Sequence, residues 1–193
     1  MKKLVVLASG SGSNFQAIID AVQNGKVKGE IAGLISNKKD AGAVQRATDN
    51  DIPVQVIPYT SENFFSGKLQ KQLAEWKPDL IVLAGFLRKI PDDIIKQYPD
   101  KIINIHPSLL PKYGGKGFYG KKVHQAVLNA GEAASGCTVH FVNEEYDSGD
   151  IIRSAEVPVY PSDTADTLAA RILEKEHQLL PSVIAHFINP KTN

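Results

Sequence analysis

The chain has 193 residues, 42% of them hydrophobic, which suffices for the core of one α/β domain and is short for two. Its 22 basic and 21 acidic residues leave a net charge of +1, so the balance calls for neither nucleic acid nor an acidic membrane surface, and small-molecule partners are expected. The single cysteine, Cys137, excludes an internal disulfide and lies in an apolar run that reads as core, and the five histidines show no metal-ligand spacing.

Residues 4–8 form an apolar run of strand length, too short for a signal-sequence core or a membrane span, and a cytoplasmic protein is expected. Ser9-Gly10-Ser11-Gly12-Ser13-Asn14 follows at once, and Phe15, Ile18, Ile19 and Val22 then repeat at helical spacing as far as Gly25. Strand, glycine loop and helix in that order leave backbone N–H groups free at a helix N-terminus, where an anion is favoured; the same residues also suit an ordinary βα turn. A dinucleotide fingerprint would need glycine at Phe15 and an acid after the second strand, residues 30–35, which instead ends in Ser36-Asn37. No Gly-Lys-Ser/Thr ending is present either, so a single phosphate fits better.

A short helix over 41–50, a strand over 54–57 and a helix with Phe65, Leu69, Leu73 and Trp76 on one face continue the βα alternation. The apolar run 80–84 is a central strand, and the loop Gly85-Phe86-Leu87-Arg88-Lys89-Ile90-Pro91 leaves its carboxyl end, where open α/β sheets bind ligands. A short helix over 92–98 leads to Ile102-Ile103-Asn104-Ile105-His106-Pro107-Ser108-Leu109-Leu110-Pro111. In a strand Asn104 and His106 point the same way, and the two prolines close a rigid turn behind them. An amide that can donate to an oxyanion beside an imidazole that can move a proton reads as a chemical site.

Residues 112–122, with four lysines and four glycines, read as a solvated mobile loop, or alternatively as a flap over an anionic substrate. A short helix over 123–129 follows, and the strands 137–142 and 151–157 pair plausibly as a hairpin around the acidic turn 143–150. Either Asp147 or Asp150 of that turn, brought beside His106, would raise the imidazole pKa and fix its orientation. A long final helix begins near Ser162-Asp163 and is expected to kink or divide at Pro181. Glu176 falls within its apolar face, where a ligand hydroxyl or a salt bridge would give the carboxylate a partner.

Taken together, Gly10-Ser11-Gly12-Ser13-Asn14, Ala84-Gly85-Phe86-Leu87-Arg88, the run from Asn104 to Pro111 and Asp147-Ser148-Gly149-Asp150-Ile151-Ile152 resemble the phosphoribosylglycinamide formyltransferases, a folate-dependent family. The resemblance implies a single three-layer α/β domain over 1–193 with a mixed, mostly parallel seven-stranded sheet. A Rossmann-like phosphate-binding half would span 1–100 and a folate and catalytic half 101–193. It implies transfer of the formyl group of 10-formyltetrahydrofolate to the amine of glycinamide ribonucleotide in purine biosynthesis, without a metal, by a monomer or homodimer.

Carried over by position, Gly12, Ser13 and Asn14 would bind the phosphate, Glu176 the ribose hydroxyls, and Gly85 and Pro107 the rest of that substrate. Leu87, Arg88, Lys89, Ile90, Asn104, Asn143, Glu144, Glu145, Tyr146 and Asp147 would form the folate pocket. Asn104, His106 and Asp147 would be catalytic, with protonated His106 and Asn104 as oxyanion donors and Asp147 keeping His106 charged. Glu62 stands where some members carry a basic residue for the folate's glutamate tail. Relatives that act on transfer RNA or hydrolyse the folate would carry further domains, for which 193 residues leave no room. From another class, a non-catalytic nucleotide-binding module would use the glycine loop alone and leave Asn104, His106, Asp147 and Glu176 unrelated.

Overall fold

The first strand, β1 (Lys2–Leu7), is apolar without interruption from Leu4 onwards because both of its faces are covered there: Leu4 and Val6 meet one layer of helices, and Val5 and Leu7 the other. The computed structural model describes residues 1–189 of the chain. Helix α1 (Ser13–Gln23) follows β1, and β2 (Gly29–Ser36), α2 (Gly42–Asp49), β3 (Val54–Val56), α3 (Glu62–Trp76), β4 (Leu80–Leu83) and α4 (Asp92–Gln97) continue the alternation. After β5 (Ile102–His106) the pattern changes to α5 (Lys121–Asn129), β6 (Ala134–Phe141), β7 (Ile151–Pro158) and α6 (Ala165–Ile188).

The sheet has seven strands in the order β3-β2-β1-β4-β5-β6-β7. Pairings from β3 through β5 are parallel, and those of β5 with β6 and β6 with β7 are antiparallel. Apolar residues of α1, α2, α5 and α6 cover one face, while α3 and α4 cover the other, giving the expected three layers. Cys137 is fully buried in the first of these layers, and burial pushes its thiol up to about 12, as suits an inert core cysteine.

Helix ends follow local chemistry. Ser61 caps α3 by accepting from the Phe64 N–H, and Lys77 ends it in a left-handed turn just before Pro78. Thr164 and Thr167 exchange hydrogen bonds in a capping box that starts α6. Contrary to expectation, Pro181 does not divide this helix, which continues to Ile188. A proline inside a helix costs about 3 kcal/mol. Leu179, Leu180, Val183 and Ile184, buried on both sides of Pro181, anchor the two segments to the same core and offset it.

Candidate active site

Two strand ends make the polar heart of the site. On β5, Asn104 and His106 share one face, and the antiparallel register sets His140 of β6 directly opposite Asn104. The His140 Nδ1–H donates to the Phe141 carbonyl at 2.8 Å, and in that tautomer Nε2 accepts from Asn104 Nδ2 at 3.1 Å. That bond uses one amide hydrogen of Asn104 and leaves the other for a ligand. The sequence reading missed His140, because its alternation on β6 becomes informative only once the register with β5 is known.

The turn after β5 is held from behind. The Thr138 hydroxyl donates to the Ser108 carbonyl at 2.7 Å and accepts from the Leu110 N–H at 3.1 Å, while the Ser108 hydroxyl donates to the Lys112 carbonyl at 2.6 Å. This folds the chain back so that the Tyr113 carbonyl accepts the His106 Nε2–H at 2.8 Å. Nδ1 of His106 is then the position free to titrate, and it lies 3.5 Å from Asp147 Oδ2.

Asp147, not Asp150, is the carboxylate that meets His106. Its backbone adopts a left-handed conformation (φ 54°), which aspartate tolerates better than most residues. Oδ2 also accepts the Gly115 N–H at 2.9 Å, and Oδ1 lies 3.6 Å from His140 Nε2. Burial pushes the Asp147 carboxyl upward, but the two imidazoles and the Gly115 N–H outweigh it and hold the group below the usual carboxylate value. For His106 burial wins: it lowers the pKa against the opposing pull of Asp147 and the Tyr113 carbonyl. Asp147 thus favours the charged form of the ring, as expected from the sequence, while burial acts the other way and is the larger of the two.

These groups line a cavity of about 490 Å³ at the carboxyl ends of the central strands. Gly85, Leu87, Arg88, Lys89, Ile90 and Pro107 line it, as do Asn143, Glu145, Tyr146 and Asp147; Glu144 does not. Apolar walls from Phe86, Ile90 and Val142 suit one face of a flat heteroaromatic ring, and Arg88 stacks on the Tyr59 ring at 4.8 Å. The lysine- and glycine-rich segment is part of this wall, because Gly115, Gly117, Phe118, Tyr119 and Gly120 border the cavity. The segment is solvated, as expected, over residues 116–122, which are exposed, and at its start the Tyr113 carbonyl and Gly115 N–H bind the two catalytic candidates directly. His124, at the start of α5, also reaches the cavity; burial and the neighbouring His106 lower its pKa.

At the far end lie Ser11, Asn14 and Glu176. Among the described residues Glu176 has no salt bridge; its partner is the Asn14 amide, which donates to Oε2 at 2.6 Å. Burial pushes the Glu176 carboxyl up to about 7, with the Asn14 bond opposing. Gly12 occupies the N-cap of α1 at φ 75°, a conformation that favours glycine, and no side chain caps the helix. Gly12 and Ser13 do not border the cavity; Ser13 lines a separate groove with Gln16, Arg46 and His177. Among the described residues no group of three or more His, Cys, Asp or Glu could hold a metal ion, and no helix is long and apolar enough to cross a membrane.

An amide, two imidazoles and a carboxylate line one cavity with the uncapped start of a helix beside it, on the carboxyl side of an α/β sheet, which is the arrangement of an enzyme site. Residues 2–184 match the formyl transferase family, and the chain belongs to that family. Within it the similar proteins include phosphoribosylglycinamide formyltransferases. The Haemophilus influenzae protein of that name is 43% identical over 193 residues, covering 97% of this chain and 87% of its own length. The chloroplastic one from Arabidopsis thaliana is 45% identical over 95% of this chain, which spans 64% of the plant protein. The crystal structure of phosphoribosylglycinamide formyltransferase from Bacillus halodurans superimposes with a TM-score of 0.92 at 33% identity, covering 100% of this chain and 98% of that one.

Proposed function

We propose that the chain transfers the formyl group of 10-formyltetrahydrofolate to the amine of N1-(5-phosphoribosyl)glycinamide, a step of purine (IMP) biosynthesis, in the cytoplasm and without a metal. The observation that carries the reading is one cavity joining three unlike surfaces. The uncapped end of α1, which reaches the cavity at Ser11 and Asn14, takes the phosphate through the N–H groups of Gly12, Ser13 and Asn14, and Glu176 takes the ribose hydroxyls. The segment 87–90 with Asn143, Glu145 and Tyr146 takes the folate. Asn104, His106 and Asp147 lie at the apex, where the two substrates meet.

The amine attacks the formyl carbon, forming a C–N bond, and the carbonyl oxygen becomes an oxyanion. The second Asn104 amide hydrogen stabilises it, pre-aimed by the bond to His140. The amine proton passes through water held at Asp147 to Nδ1 of His106, and the imidazolium so formed lies between the Asp147 carboxylate and the Tyr113 carbonyl. His106 returns that proton to N10 of the folate as the N10–formyl bond breaks, which restores the neutral ring. Deep burial of His106 thus keeps a proton acceptor ready at neutral pH.

Purified protein mixed with 10-formyltetrahydrofolate is expected to release tetrahydrofolate, followed by absorbance, only when glycinamide ribonucleotide is added. Release without an acceptor would make the chain a hydrolase, and no release in either case would overturn the choice of substrates.

A further inference from the structure

Helix α2 takes no part in the cavity, yet its first turns lie directly against the glycine loop. The Ala43 N–H donates to the Gly10 carbonyl at 3.1 Å, and Arg46 Nε donates to the Ser11 carbonyl at 2.9 Å. A Cβ added at Gly12 would fall 2.6 Å from the Ala43 Cα, and one at Gly42 would fall 2.8 Å from the Ser11 carbonyl oxygen. Arg46 is itself held: Nη1 donates to Gln16 Oε1 at 3.0 Å, and Gln16 Nε2 donates to Asp20 Oδ1 at 2.8 Å.

The consequence follows from the planarity of the peptide. A carbonyl turned one way turns the N–H of the next residue the other way. With the Gly10 and Ser11 carbonyls both drawn towards α2, the N–H groups of Ser11 and Gly12 are directed away from it. A flip of the Ser11–Gly12 peptide would present a carbonyl oxygen to the bound anion in place of a donor, and the guanidinium resists that flip with a charge-assisted hydrogen bond. Arg46 borders the outer groove rather than the cavity, so it does this without reaching the ligand.

We infer that Arg46 is a positioning residue of the phosphate subsite: by holding the Ser11 carbonyl it keeps the Gly12 N–H aimed at the substrate phosphate and so sets affinity for the phosphorylated acceptor. This rests on the assignment of the glycine loop to the phosphate in the proposed reaction.

Steady-state kinetics on Arg46→Gln and Arg46→Lys test it, with glycinamide ribonucleotide and its dephosphorylated nucleoside as acceptors and inorganic phosphate as inhibitor. Both variants are expected to raise KM for the ribonucleotide about tenfold, with the loss in KM rather than kcat. Inorganic phosphate should weaken by the same factor, and the preference for ribonucleotide over nucleoside, as a ratio of kcat/KM, should fall with it. Lysine keeps the charge but cannot reproduce the paired Nε and Nη1 contacts, so full rescue by Arg46→Lys would overturn the positioning role, as would equal losses on both acceptors. Should Arg46→Gln fail to fold, Gln16→Met removes the Nη1 anchor and is expected to raise KM for the ribonucleotide about threefold with the same drop in preference; an unchanged preference there would also overturn it. If wild-type protein neither prefers the ribonucleotide nor responds to inorganic phosphate, the loop assignment itself falls, a result distinct from these.

Discussion

The two ends of the cavity use different parts of the chain. At the β1 end the groups offered to an anion are main-chain N–H groups of an uncapped helix, fixed from behind by a second helix. At the β5 end the groups are side chains, Asn104, His106, His140 and Asp147, each held by another or by a nearby backbone atom. Main chain binds without titrating and cannot be truncated, so it suits an anion that is held and released unchanged. Side chains titrate and depend on one another, which suits a centre that must take up and return a proton.

Substitutions should separate the two ends by kcat and KM. The largest loss is expected for His106→Ala, on the order of 10³ in kcat with little change in KM for the ribonucleotide, measured by folate release. Asn104→Ala should cost on the order of 10²–10³ in turnover; a change under about threefold would leave the oxyanion without its assigned donor. At the other end the expected effect is on stability. Burial makes the Glu176 carboxyl bind its proton more tightly in the folded chain, at about 7 against an ordinary value of 4.5. It therefore contributes stability that is full below pH 4.5 and is lost as the pH rises towards 7, about 3 kcal/mol in all. Urea unfolding of Glu176→Gln should lack this decline, so that the variant gains on wild type between pH 4.5 and pH 8; a difference constant with pH would mean that Glu176 is ionised throughout. His140→Ala should have the smallest effect, about tenfold in kcat, because it orients the Asn104 amide without touching the reacting atoms. A loss as large as that of Asn104→Ala would place His140 in the chemistry itself.

The elements were legible wherever periodicity alone decides. The fully apolar runs of β1 and β4 and the spacing of Phe65, Leu69 and Leu73 on α3 appear where expected. The focal pair on β5 was legible too, since Asn104 and His106 stand two apart in a strand closed by prolines. Long-range geometry was not. That His140 faces Asn104 depends on an antiparallel register set between separate strands, and that the Tyr113 carbonyl holds His106 depends on the course of a turn. Glu176 was recognisable as a carboxylate on an apolar face, but the choice between a hydroxyl, a salt bridge and an amide partner needed α1 in place. Pro181 misled because the local rule was weighed without the core packing on either side of it.

The change from parallel to antiparallel pairing at β5 has a temporal side. Asn104 and His106 leave the ribosome well before His140, Asp147 and Glu176, which belong to elements that start at residue 134 or later. A growing chain can carry the glycine loop and the focal strand while lacking the carboxylate and the second imidazole. The full set of side chains exists only once α6, which carries Glu176, has been synthesised.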